Sequence, residues 1–80
     1  MTLDKILRKT PEGFRVTRIE QYVRLDRTVL PEIEVPIITN VYVEMEQNGT
    51  KNRTCALEET AQESFEKCSE HARKGAFFNA

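Results

Sequence analysis

Asn48-Gly49, set between two stretches of alternating apolar and polar residues, constrains this chain more than any other feature. Both residues tolerate the positive φ that a tight hairpin turn requires. Upstream, Val35, Ile37, Val41, Val43 and Met45 share one parity, as in a strand with one buried face, and only Thr39 interrupts them. Two registers satisfy the turn. A two-residue turn pairs Glu46 with Lys51 and Glu44 with Arg53, but it places Cys55 and Leu57 on the face opposite Val41 and Val43. A three-residue loop with Gly49 as bulge residue pairs Val41 with Cys55 and Thr39 with Leu57, gathering the apolar side chains on one face. Burying Cys55 and Leu57 outweighs two exposed ion pairs worth at most about 1 kcal/mol each, so the second register is expected.

The hairpin feeds an amphipathic helix. Thr60-Ala61-Gln62-Glu63 reads as a capping box at its start, and Gly75 suits the left-handed position after its end, where Arg73 and Lys74 complement the helix dipole. Ala61, Phe65, Cys68 and Ala72 recur at helical spacing on one side, with Glu63, Glu66 and Glu70 on the other. Upstream of the hairpin, residues 14–25 are rich in β-branched and aromatic side chains but change parity between Val16 and Ile19. A bulged strand reconciles that break; an amphipathic helix through Val16, Ile19 and Val23 is the competitor. Leu3, Ile6 and Leu7 suggest a short N-terminal helix stopped by Thr10-Pro11, and Asp26 to Ile33 reads as a connecting loop. The expected fold is therefore α+β. A three-stranded antiparallel sheet, with strands near 14–25, 34–46 and 50–57, carries a C-terminal helix near 60–74 on one face and a short N-terminal helix.

Eighty residues make one domain, 1–80, with 76–80 as a flexible or docking tail whose two aromatics, Phe77 and Phe78, either fold back on the core or meet a partner. With 39% hydrophobic and 31% charged residues the chain is neither disordered nor fibrous, and no apolar run approaches the roughly 20 residues of a membrane span. Met1 to Lys9 shows no apolar stretch after its charges, so a cytoplasmic protein with reduced thiols is expected and the sequons at Asn48 and Asn52 carry little weight. Charge is uneven along the chain. Residues 1–27 hold seven basic and four acidic groups, the remainder five basic and nine acidic.

Catalysis is poorly supplied. His71 is the single histidine and projects between the two helix faces, and no P-loop, nucleophile elbow or dinucleotide fingerprint occurs. No enzyme activity, cofactor or metal is expected: Cys68, His71 and Cys55 make three ligands where structural zinc takes four, and two small hydrophobes in a reduced core is the simpler reading. A Cys55–Cys68 disulfide would require an oxidising compartment.

The helix–strand–strand–strand–helix order resembles that of the double-stranded RNA-binding domain. Where that family carries lysines at the start of its last helix this chain has Glu58 and Glu59, so the resemblance covers the order of elements and transfers no residues. In size and character the chain also resembles the small single-domain inhibitors that phages direct against bacterial defence systems, without a shared motif. The expected function is a non-enzymatic interaction protein, an inhibitor or adaptor that binds a macromolecular partner's surface, with a protein or ribonucleoprotein partner or a second copy of the chain. Its candidate contacts are the acidic stripe of Glu63, Glu66 and Glu70 and an apolar patch of Ile38 and Tyr42 on the second face of the sheet. The alternative is a nucleic-acid-binding module in which Arg15, Arg18 and Arg24 grip phosphates, with Phe14 or Tyr22 stacking on bases.

Overall fold

The computed structural model describes residues 9–26 and 35–79. Strands β1 (Phe14–Asp26), β2 (Val35–Gln47) and β3 (Asn52–Glu58) form an antiparallel sheet in that order, followed by helix α1 (Ala61–Lys74) and a two-residue strand β4 (Phe78–Asn79). The fold is α+β, as expected. The N-terminal helix expected around Leu3, Ile6 and Leu7 lies outside the described residues.

Two bulges shape the sheet. Pairing of β1 with β2 slips between Val16 and Arg18, leaving Thr17 as the extra residue, and this is the parity break read from the sequence. A second slip falls between Tyr22 and Val23, where Tyr22 faces Asn40 and Val23 faces Ile38, so that Thr39 is the extra residue of β2. Because directly opposed residues share a face, Ile38 joins Val23 on the helix side of the sheet while Tyr42, opposite Glu20, stays on the open side. The expected Ile38/Tyr42 patch is therefore split between two faces.

The register of the hairpin also differs from expectation. Val41 faces Glu58, Val43 faces Ala56, Met45 faces Thr54 and Glu46 faces Arg53, which leaves a four-residue connection at 48–51 and turns Cys55 and Leu57 away from the helix. Turn chemistry accounts for part of this. Gly49 has φ of 76°, but no described residue other than glycine has positive φ, so Asn48 does not adopt the conformation that the tightest two-residue turn requires. Thr50 instead closes the turn: its N–H and its hydroxyl donate to the Gln47 carbonyl (3.1 and 3.0 Å), and its Oγ1 accepts from Asn52 N–H (3.1 Å). Packing accounts for the rest. Thr54 and Ala56 are small, and α1 comes close enough over them for Cys68 Sγ to lie 3.5 Å from the Thr54 carbonyl. A leucine in their place would hold the helix off.

The core is the layer between α1 and the sheet: Val41, Val43, Met45, Ala56, Phe65 and Cys68, with Val16, Ile19 and Ala61 packed at its margin. Helix ends lie where the sequence places them, with the Glu63 carboxylate meeting the Thr60 hydroxyl rather than the backbone N–H of the expected capping box. Thr60 Oγ1 accepts from Glu63 N–H (3.1 Å), and the Thr60 hydroxyl donates to the Glu63 carboxylate (3.2 Å). At the C-terminus Gly75 is left-handed (φ 70°), its N–H bonding Ala72 O and that of Ala76 bonding His71 O, which is a Schellman closure. That closure returns the tail to the body. Phe77 packs on Phe14 with ring centroids 5.9 Å apart, and Phe78 pairs with Arg53 at the edge of β3. The tail therefore folds back as far as Asn79.

β3 pairs only with residues 41–46 of β2, whereas β1 accompanies β2 from 35 to 47. Residues 22–26 and 35–40 thus form a two-stranded ribbon that runs on past β3 and gives the molecule a length of 50 Å against a width of 26 Å.

Candidate functional site

Three surfaces hold the residues that the sequence singles out. On α1, Glu63 and Glu66 are exposed and Glu70 is half-buried; with Glu58 and Lys67 they line a shallow depression of about 260 Å³. The stripe is largely engaged with its own helix. Glu66 accepts from Gln62 Nε2 (3.1 Å), and Glu70 lies 2.7 Å from Lys74 Nζ and 3.8 Å from Lys67 Nζ. The hydrogen bond from Lys74, then the charge of Lys67, holds the Glu70 carboxyl below the usual glutamate range. This is a helix surface stitched by neighbouring charges, as the i, i+4 spacing of Glu70 and Lys74 implies.

The open face of the sheet is built differently. Register places Arg15, Arg18 and Arg24 on this one face, with Arg53, and the same face carries Glu20, Glu44 and Glu46. Glu46 is buried between two guanidinium groups, one oxygen taken by Arg15 and the other 2.9 Å from Arg53 Nε. Arg15 also donates to Asn48 Oδ1 (3.0 Å), tying the strand to the turn. Glu44 is likewise buried and accepts from the Tyr42 hydroxyl and the Thr17 hydroxyl, each at 2.9 Å. Thr17 is the bulge residue of β1, so the bulge directs a hydroxyl onto a carboxylate. Arg18 donates to Glu20 (2.7 Å) and stacks over the Tyr42 ring, 5.6 Å from its centroid. Burial, then the bonds to Glu44 and Cys55, pushes the Tyr42 hydroxyl well above the usual tyrosine value, so it remains a donor. The three arginines of the nucleic-acid reading are thus brought to one face, but Arg15 and Arg18 already serve carboxylates there. Sequence reasoning set Glu46 against Lys51 and Glu44 against Arg53 only in the register it passed over; the Arg15–Glu46–Arg53 cluster and the hydroxyls on Glu44 require the observed register.

The Arg53 hydrogen bond, followed by the charge of Arg15, holds the Glu46 carboxyl below its usual value despite its burial. Its folded pKa is depressed, so the stability it contributes is full above the unfolded value and is lost as pH falls through the folded one. Glu46→Gln is therefore expected to be less stable than wild type at neutral pH, with the difference vanishing in acid. Urea midpoints of both proteins at pH 7 and at about pH 3 test this; a gap that stays constant would remove Glu46 as the source.

The third surface is the helix side of the ribbon. Val23, Leu25 and Ile38 are 53%, 58% and 51% exposed, whereas Val41, Val43 and Met45 further along the same sheet face are at most 3% exposed. Helix α1 does not reach them.

Cys55 and Cys68 are both free thiols on opposite sides of β3. Burial pushes the Cys68 thiol up to about 12, which leaves it protonated and unreactive. His71 Nδ1 lies 3.0 Å from the Cys55 carbonyl; a carbonyl only accepts, so the imidazole carries a proton there. Among the described residues no group of three or more His, Cys, Asp or Glu could hold a metal, and no helix is long and apolar enough to cross a membrane. Comparison with family models, curated proteins and solved structures finds no match to this chain.

Proposed function

We propose that this chain is a non-enzymatic interaction protein, an inhibitor or adaptor that occupies a macromolecular partner's surface through the helix side of its β1–β2 ribbon. The observation that carries this reading is the exposure of Val23, Leu25 and Ile38 together on one face, beyond the reach of α1. Exposed apolar clusters of this kind on a small domain mark contact surfaces. The partner is a protein or ribonucleoprotein offering an apolar cleft wide enough for a two-stranded ribbon. Its compartment is the cytoplasm, where two unpaired thiols persist, and its single-domain size fits the phage inhibitors it resembles.

Pull-down from the cells that express the protein, followed by mass spectrometry, tests this with two variants. Val23→Glu/Ile38→Glu should lose the partner, whereas reversing Glu63, Glu66 and Glu70 to lysine should keep it. Retention by the ribbon variant together with loss in the helix variant would transfer the contact to the acidic stripe. The nucleic-acid reading draws on the gathering of Arg15, Arg18 and Arg24 on one face. Affinity for nucleic acid that falls steeply with salt and disappears when all three become alanine would put that reading first.

A further inference from the structure

Among the described residues the outer edge of β1 is the long unpaired edge of the sheet, since the strand order places β1 outermost and the other edge is shared between β3 and the short β4. Edges of this length are templates for another strand, and proteins blunt them with bulges, proline or charges of one sign. Here the bulge at Thr17 lies near one end, and the second slip, at Tyr22/Val23, puts its extra residue on β2, so residues 18–26 of β1 carry no inserted residue. The side chains along that stretch follow a particular order on the open face: Arg18, Glu20, Tyr22, Arg24. Read in reverse about Tyr22, Glu20 meets Arg24.

The geometry points to a two-fold symmetric dimer in which β1 pairs antiparallel with β1 of a second copy, centred on Tyr22. In that register Glu20 faces Arg24 of the other copy and Tyr22 faces itself; on the helix side Ile19 faces Leu25 and Gln21 faces Val23. Sliding one copy by two residues sets Arg18 against Arg24 in one direction, and in the other takes Glu20 off Arg24 and sets Arg24 against Tyr22. Sliding by one residue opposes residues from different faces. A single register therefore satisfies both the pleat and the charges, and like charges directly opposed in a sheet are destabilising.

Main-chain direction agrees. Thr39 Oγ1 of β2 donates to the Tyr22 carbonyl (3.3 Å), so that carbonyl turns toward β2, and those of Gln21 and Val23, one residue away, turn to the free edge. Gln21 and Val23 then exchange bonds across the two-fold axis, as do Ile19 and Leu25, giving about eight backbone hydrogen bonds, with Tyr22 as the close, non-bonded pair at the centre. The contact is isologous, as closed dimers require, and makes one eight-stranded sheet with both helices on the same side. The exposed Tyr22, Val23 and Leu25 of each copy come together at the junction. This dimer stands independently of which partner the ribbon binds.

Light scattering of the full chain should find a dimer. Glu20→Arg opposes two arginines at each end of the interface and Arg24→Glu opposes two glutamates, so each variant alone should weaken association by at least about tenfold. Mixed in equal amounts they should form a heterodimer, because arginines at 20 and 24 of one copy then meet glutamates at 24 and 20 of the other. In a Cys55→Ser background, Tyr22→Cys should cross-link to itself on mild oxidation, and Val23→Cys, which faces position 21, should not. Circular dichroism confirms that each variant is folded, and the cross-link decides the matter should a charge variant unfold. A monomeric wild type, variants that dimerise as well alone as mixed, or cross-linking at 23 in preference to 22 would each overturn the proposal. Ile38 lies on β2, away from the β1 edge, so Ile38→Glu alone, losing the partner while still dimerising, keeps failure of the one experiment distinct from failure of the other.

Discussion

Phe65→Ala should cost this domain about 3–5 kcal/mol, the usual range for emptying a buried phenylalanine site. An 80-residue domain has roughly 4–12 kcal/mol to lose. Phe65 is 4% exposed and sits with Val43, Met45, Ala56 and Cys68 in the one layer that joins helix to sheet. The loss is large because no second layer among the described residues shares the load: the opposite face of the sheet is closed by salt bridges and cation–aromatic stacking rather than by packed hydrocarbon. Little collapse can fill the gap, since the helix is tied to the sheet by Ser64 in its first turn and, just past its end, by Phe77 on Phe14. Thermal unfolding followed at 222 nm should shift down by at least about 12 °C, at 4–8 °C per kcal/mol for a domain of this size. Phe78→Ala, at a side chain 39% exposed on β4, serves as the control and should cost under about 1 kcal/mol. Equal shifts for the two would mean that the core does not lie under α1.

How much of this could be read from residues alone depends on the range of the interaction. The helix was legible to within a residue because its boundaries are local: a threonine that accepts from the third residue on, and a glycine that must be left-handed. The bulge at Thr17 was legible because it breaks a parity that both flanks display. Its counterpart at Thr39 was not, since the apolar pattern of β2 continues on both sides and only the partner strand reveals the slip. Ile38 and Tyr42 were consequently read onto one face. The hairpin register was misjudged for a related reason: counting apolar side chains favoured burial of Cys55 and Leu57, whereas the closeness of α1 selects the smaller Thr54 and Ala56. Of the candidate surfaces, the arginines were visible as residues, but Arg15 was not visible as a partner of Glu46, because that pairing exists only once two strands thirty residues apart are in register.

Ser64 carries a role that no sequence pattern announces. It is fully buried in the first turn of α1, and its hydroxyl stands between two groups of the sheet, donating to the Val41 carbonyl and accepting from Glu58 N–H (2.9 Å). Val41 and Glu58 face one another at the last pair of the β2–β3 ladder, so the hydroxyl extends that ladder into the helix. Ser64→Ala leaves a buried donor and a buried acceptor, each costing about 1–3 kcal/mol if it stays unpaired. The ladder can close partly by direct pairing of the two, and the net expectation is a loss of roughly 2 kcal/mol. Ser69, five residues on, supplies the contrast. It too is buried, but its hydroxyl has no partner among the described residues and borders a cleft of about 120 Å³ beside Lys9 and Arg73. Removing an unpaired buried hydroxyl releases the cost of desolvating it, so Ser69→Ala should change stability by less than about 0.5 kcal/mol or raise it. The same substitution at two buried serines of one helix is thus expected to give effects that differ by about 2 kcal/mol, read from urea midpoints at constant slope. Equal effects at the two sites would show that burial, rather than the bridge from helix to ladder, sets the value of Ser64.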